Sequence, residues 1–271
     1  MFETILVPGD GSESSWQAMA QGIEIARLEG DKAVLHGLYV VDDALIAGPF
    51  QSLVGEAMEV EAALGKEGRA ILTEFGERAA AAGVHGDTQL VQGDVARLIC
   101  ERAGLADLVV LGRRGAGGMT ATLLFGSTFE AMVRYSPRPV LVAVPPARPV
   151  RRVLAAYDGS ERAKDALGVA AQAAQAWGAA VTVLSVSEAG RVAPETLAEA
   201  AAYLREHQVE PSLLMLPEEH PAAAILRVAE QRDIDLIVLG GYGHGRFLEM
   251  LFGHAANEVM RHTTRPLLIC R

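Results

Sequence analysis

Two glycine-bearing stretches hold the residues in this chain best suited to receive an anion. The first reads Gly112-Arg-Arg-Gly115, then ten residues, then Gly126-Ser127-Thr128; the second reads Gly240-Gly-Tyr-Gly243, nine residues, then Gly253-His254-Ala255. Glycine lets the backbone come close to a phosphate and turn its N–H groups inward, and a helix starting near Ser127 adds the positive end of its dipole. Arg113 and Arg114 carry charge that can screen a phosphate, although many loop arginines are simply solvated. One such spacing is a weak signal. Two in one chain, each in the same context, is a far stronger one.

A second recurrent feature is an aspartate in a tight turn, Pro8-Gly9-Asp10 followed by Gly11-Ser12 and Ala156-Tyr157-Asp158 followed by Gly159-Ser160. An Asp-Gly-Ser turn either faces a ligand with its carboxylate or organises the turn and caps the next helix, and both readings stay open. Ser127-Thr-Phe-Glu130 has the form of a capping box, a use of the hydroxyl that is compatible with phosphate contact. His244, His254 and His262 have neither zinc spacing nor a companion carboxylate, so no metal site is assigned to them. No residue pair reads as a general base beside an activated nucleophile, and a glycine cradle alone supplies binding.

The elements that must position these residues come in two copies. Glu3-Thr-Ile-Leu-Val-Pro-Gly-Asp-Gly-Ser12 aligns with Arg151-Arg-Val-Leu-Ala-Ala-Tyr-Asp-Gly-Ser160, Ala106-Asp-Leu-Val-Val-Leu-Gly112 with Ile234-Asp-Leu-Ile-Val-Leu-Gly240, and Arg138-Pro-Val-Leu-Val142 with Arg265-Pro-Leu-Leu-Ile269. The offset between copies shrinks along the chain, which places about 20 extra residues in the first copy, around Asp42 to Gly68. Pro145-Pro-Ala-Arg-Pro149 forms a proline-rich joint, and domains of 1–147 and 148–271 follow.

In the first copy, Thr4 to Val7, Ala33 to Val40, Thr88 to Val91, Leu108 to Leu111 and Val140 to Val144 read as five strands, mostly continuous apolar runs. Between the first two, Trp16, Met19, Ala20, Ile23 and Ala26 recur at helical spacing, as do Ala166, Leu167, Ala170 and Ala174 in the second copy. This alternation predicts an α/β fold, two tandem doubly wound sheets of five parallel strands, Rossmann-like in architecture. Ligands in such sheets collect beyond the carboxyl ends of the strands where strand order reverses, which selects Asp10, Val40 and Gly112 in one copy and Asp158, Val186 and Gly240 in the other.

Composition narrows the function classes. The net charge of −10 sets a general attraction to nucleic acid or to an anionic membrane against repulsion. Only Cys100 and Cys270 occur, one in each half, which disfavours a disulfide framework. The N-terminal residues have no pattern of an export signal, and no apolar run approaches the roughly 20 residues of a membrane span. A cytoplasmic protein is the expectation. A dinucleotide fingerprint would place G-x-G-x-x-G after the first strand, where this chain has Pro8-Gly-Asp-Gly-Ser12, and no P-loop occurs. The signature histidine or lysine motifs of glycosylase-like and synthetase-like relatives of this architecture do not occur either.

These motifs, over essentially the whole chain, resemble those of the universal stress protein family in its tandem form, with an adenine nucleotide alpha hydrolase-like fold. The resemblance implies G-x2-G-x9-G-(S/T) as an ATP cradle, Asp10 and Asp158 beside ribose and phosphate, and backbone contacts to adenine at Val40 and Val186. Each copy departs from the pattern once: the first has one residue too many between Gly115 and Gly126, and the second has His254 in place of Ser or Thr. ATP is the implied ligand of both copies, with any Mg²⁺ carried by the nucleotide near Asp10 or Asp158. Family members pair through their last strand, which implies an internal pseudo-dimer of Val140 to Val144 with Pro266 to Cys270; a homodimer is compatible with it. The function so implied is an ATP-dependent binding or signalling module in stress. A slow ATPase or phosphotransferase and a chain with one purely structural copy are the alternatives.

Overall fold

The computed structural model describes residues 1–46, 54–115, 125–187, 194–217, 220–241 and 254–270. They form two compact units, Phe2–Ala143 and Val144–Arg271, the latter joined by Met1.

The first unit runs β1 (Thr4–Pro8), α1 (Glu13–Glu29), β2 (Val34–Asp42), α2 (Asp43–Ile46), α3 (Val54–Ala81), β3 (His85–Gly93), α4 (Val95–Ala103), β4 (Leu108–Leu111), α5 (Ser127–Tyr135) and β5 (Val140–Val142). Its strands are parallel and lie in the order β3-β2-β1-β4-β5. The second unit repeats this with β6 (Arg152–Ala156), α6 (Glu161–Trp177), β7 (Ala180–Val186), α7 (Pro194–Glu206), β8 (Ser212–Leu216), α8 (Pro221–Gln231), β9 (Leu236–Gly240), α9 (His254–His262) and β10 (Leu267–Cys270), in the order β8-β7-β6-β9-β10. Both are doubly wound five-stranded sheets, as the alternation of apolar patterns predicts. Every residue of β4, β5 and β10 is buried, which an unbroken apolar strand achieves only when both sheet faces are covered. Among the described residues no helix is long and apolar enough to cross a membrane.

Strand limits differ from the hydropathy reading in several strands, among them β5, which ends at Val142 and not Val144. β3 extends to His85 and Gly93, because its ladder to β2 runs from Val34↔His85 to Asp42↔Gly93. His85, Gly86 and Asp87 are exposed, so hydrogen bonding and not burial makes them strand. β2 likewise continues to Asp42, which leaves Val40 inside the strand and not at its end. The extra residues of the first copy build α2 and lengthen α3 to 28 residues, against 13 in α7.

One carboxylate per unit ties the start of the first strand to the fourth. Asp107 Oδ2 accepts from the N–H groups of Glu3 (3.1 Å) and Thr4 (2.9 Å), and Asp235 Oδ2 accepts from Arg151 (3.1 Å) and Arg152 (2.9 Å). Asp235 is buried, so its loss strands two donors in the sheet. Asp235→Ala is expected to destabilise the second unit by about 2 kcal/mol, read as a lower urea midpoint. An unchanged midpoint would mean that water replaces the carboxylate there.

Candidate functional site

The turn after the opening strand is built identically in both units. Gly9 N–H donates to Leu38 O at 2.9 Å, and Tyr157 N–H to Leu184 O at 2.9 Å, so the ladder extends one residue past β1 and β6. Gly11 and Gly159 then take φ of 76° and 81°, a left-handed geometry that favours glycine. Asp10 Oδ1 accepts from Ser12 N–H and Asp158 Oδ1 from Ser160 N–H, both at 3.0 Å. Ser12 Oγ and Ser160 Oγ in turn cap α1 and α6, accepting from Ser15 N–H and Ala163 N–H at 3.2 Å. One oxygen of each aspartate therefore organises the turn, as an Asp-Gly-Ser sequence does in any protein.

The other oxygen of Asp10 explains a glycine. A Cβ on Gly115 would lie 2.5 Å from Asp10 Oδ2, so the loop after β4 passes close to the carboxylate, and a side chain at residue 115 would make that carboxylate shift. Gly112 and Gly240 answer to packing instead. A Cβ on Gly112 would strike the backbone of Ser14, with its carbonyl carbon at 2.6 Å, and one on Gly240 would lie 2.5 Å from Arg162 O. These two glycines let the first turn of α1 and of α6 sit against the end of the fourth strand.

In the first unit the carboxyl ends of β1, β2 and β4 surround a cavity of about 470 Å³, at the point where strand order reverses. Pro8, Gly9 and Asp10 line it from β1, Val40 from β2, and Gly112 and Gly115 from the loop after β4. Gly126, Ser127 and Thr128 close it at the start of α5. Nine of the residues singled out in the sequence thus surround one space. Arg113 does not line it; its neighbour Arg114 does, and Arg114 N–H donates to Ser14 Oγ at 3.3 Å. Burial, then the charge of Arg114, lowers the pKa of the Arg113 guanidinium.

The start of α5 corrects the capping-box reading by one residue. Gly126 holds the N-cap position in extended geometry, φ −73° and ψ 152°, and its carbonyl accepts from Glu130 N–H at 3.0 Å. Gly126 N–H itself donates to Arg113 O at 3.2 Å, so this amide belongs to the loop and not to a ligand cradle. Ser127 is therefore the first helical residue. Its N–H and that of Thr128 belong to the first turn, for which the helix provides no acceptor, and they lie at the cavity.

The cavity is also lined by residues the sequence reading missed. Tyr39, Leu45, Leu64 and Glu67 line it, the last three from the extra segment of the first copy. A Cβ on Gly68 would overlap the Tyr39 ring, with Cε1 at 2.7 Å, so α3 rests directly on that ring. Burial first, then the Glu67 and Asp10 carboxylates, raises the pKa of the Tyr39 hydroxyl. The fall in repeat offset located the extra segment but carried no sign of its fold.

In the second unit, Ala156 ends β6, Asp158 is exposed in its turn, and Val186 ends β7 half-buried. Tyr157 stands where the first unit has Gly9, and its side chain is buried. Burial, then Glu199, raises the Tyr157 hydroxyl. Gly240 ends β9, and α9 begins at His254 followed by the half-buried Ala255. Gly243 and Gly253 lie outside the described residues. Among the described residues no cluster of three or more His, Cys, Asp or Glu side chains could hold a metal.

A duplicated five-stranded parallel α/β unit with this crevice defines the adenine nucleotide alpha hydrolase-like class of fold. The sequence profile of the universal stress protein family matches residues 1–144 and again residues 149–271, and the chain belongs to that family in tandem form. It is 28% identical to a universal stress protein of Mycolicibacterium smegmatis across 98% of this chain and 96% of that protein. The universal stress protein Slr1230 of Synechocystis sp. is 28% identical over 169 residues, 61% of this chain and 58% of that protein, so the chain spans little more than half that relative. A crystal structure of a universal stress protein from Archaeoglobus fulgidus superposes with a TM-score of 0.82 at 22% identity, covering 99% of this chain and 98% of the other, which is a likeness of fold.

Gly112→Ala drives a methyl group into helix backbone, whereas Gly115→Ala presses on the end of a side chain. Gly112→Ala is thus expected to lower the melting temperature by several degrees, a cost of about 1–3 kcal/mol, and Gly115→Ala by clearly less. Equal melting temperatures for the two variants would contradict this division of roles.

Proposed function

We propose that this chain is an ATP-binding module of the stress response, acting in the cytoplasm through nucleotide-dependent binding or signalling, with domains of 1–147 and 148–271 as its two binding halves. The observation that carries the reading is the first unit's cavity. Its volume lies within the usual range of about 300–1,000 Å³ for small-ligand sites. Its lining includes the N–H groups of a helix start at Ser127 and Thr128, suited to phosphate, and Val40, Leu45 and Leu64, suited to an apolar base. Asp10 lines the same cavity, and ribose and any nucleotide-borne Mg²⁺ would come beside it.

In this reading Pro8, Gly9, Asp10, Val40, Gly112, Gly115, Gly126, Ser127 and Thr128 hold ATP in the first copy. Ala156, Tyr157, Asp158, Val186, Gly240, Gly243, Gly253, His254 and Ala255 do so in the second. The same reading has the two copies act as an internal pseudo-dimer.

Titration calorimetry of the full chain with Mg·ATP is expected to give saturable binding approaching two nucleotides per chain. Asp10→Ala should weaken the first-copy event about tenfold or more, since a hydrogen bond to a charged group is worth roughly 1.5–3 kcal/mol. A stoichiometry near one would make the second copy a structural half, and no binding heat at any temperature would remove the proposal. Single-turnover incubation with labelled ATP should leave the nucleotide intact; hydrolysis abolished by Asp10→Ala together with Asp158→Ala would replace the binding module with a slow ATPase.

A further inference from the structure

The two units share their turn geometry and differ at one wall. Because Gly9 N–H pairs with Leu38 and Tyr157 N–H with Leu184, Tyr39 corresponds to Ser185. The first unit therefore has a tyrosine on its second strand where the second unit has a serine. Gly68 and Glu67 lie on the part of α3 that precedes any described residue of α7, so among the described residues α7 shows no counterpart to them.

This wall is anchored rather than loosely apposed. Tyr39, Val41 and Leu72 form a buried cluster, against which Ile46, Leu64, Ile71 and Leu90 pack. The absence of a side chain at Gly68 brings α3 onto the Tyr39 ring, and a Cβ on Gly11 would lie 2.7 Å from Ile71, so the same helix also abuts the Asp10 turn. Helix α3 is thereby held against both strand ends, and Glu67, one residue before Gly68, faces the cavity.

The chemistry of the groups that share the cavity assigns Glu67 a task. Ser127 and Thr128 offer helix-start N–H groups suited to phosphate, and Val40, Leu45 and Leu64 offer apolar surface to the same cavity. Asp10 abuts Gly115, and the Tyr39 hydroxyl feels both the Asp10 and the Glu67 charges. An ionised carboxylate only accepts hydrogen bonds and repels phosphate, so it suits the donor groups of a nucleotide's middle part, its sugar hydroxyls. We propose that Glu67, held by the Gly68–Tyr39 contact, accepts a hydrogen bond from the ribose of the nucleotide in the first unit and makes that copy selective for ribonucleotides. The inference rests on the nucleotide-binding reading above.

The test is calorimetry on the full chain carrying Asp158→Ala, so that the first unit dominates, with ATP, 2′-deoxy-ATP, 3′-deoxy-ATP and inosine triphosphate. ATP is expected to bind about tenfold more tightly than at least one deoxy analogue, because a site built to bond a hydroxyl rejects a ligand without it. Glu67→Ala should abolish that preference by weakening ATP while leaving the deoxy analogue unchanged. Glu67→Gln, which keeps one weaker acceptor, should retain part of it. Equal weakening of all ligands, a preference that follows the base amino group instead of the sugar, or a Glu67 effect that appears only with Mg²⁺ would each overturn the proposal. Absence of ATP binding in the parent chain would instead overturn the nucleotide-binding reading on which it rests.

Discussion

The geometry of both units depends on one carboxylate oxygen accepting from the N–H two residues on. That bond between Asp10 and Ser12, repeated between Asp158 and Ser160, lets a strand end and a helix begin within four residues. A left-handed glycine lies at its centre and a serine cap at its end. With the turn so closed, the fourth strand's loop must pass close by, which only glycine at 112 and 240 permits. In the first unit Gly115 then leaves room for the second oxygen of Asp10 beside the cavity. The crevice is thus a consequence of how tightly the first crossover starts.

Duplication has kept this constraint and relaxed what surrounds it. Asp107 and Asp235 pin the opening strands alike. The connection between second and third strands has diverged, with α3 described over 28 residues and α7 over 13. That segment must still cross from one parallel strand to the next, so added residues are accommodated by lengthening a helix and not by altering the sheet. Its extra turns border the first unit's cavity, where they change the ligand's surroundings without touching the strand order.

Much of this was legible in the sequence for definite reasons. Continuous runs such as Leu108 to Leu111 declare strands covered on both faces, and the repeated Asp-Gly-Ser declares the turn. Nine residues around the first cavity follow from a topological rule applied to those runs. The edge strand β3 was only half visible, because His85 to Asp87 are held by backbone pairing and carry no hydrophobic signal. The Gly126 amide was read as a ligand donor, yet it bonds Arg113 O, a choice made by loop closure that side-chain types do not record. Arg113 and Arg114 are equivalent in sequence and differ only in which one the loop turns toward the cavity. Glu67 was invisible because its importance comes from a contact between Gly68 and Tyr39, residues far apart in the chain.

The central claim is that the helix start at Ser127 and the carboxylate of Asp10 belong to one nucleotide site. A crystal structure of the full chain with a non-hydrolysable ATP analogue tests it most directly. The account predicts phosphate oxygens within hydrogen-bonding distance of the Ser127 and Thr128 N–H groups and the sugar beside Asp10. A nucleotide seated elsewhere, or a first-unit cavity empty at saturating analogue, would contradict it.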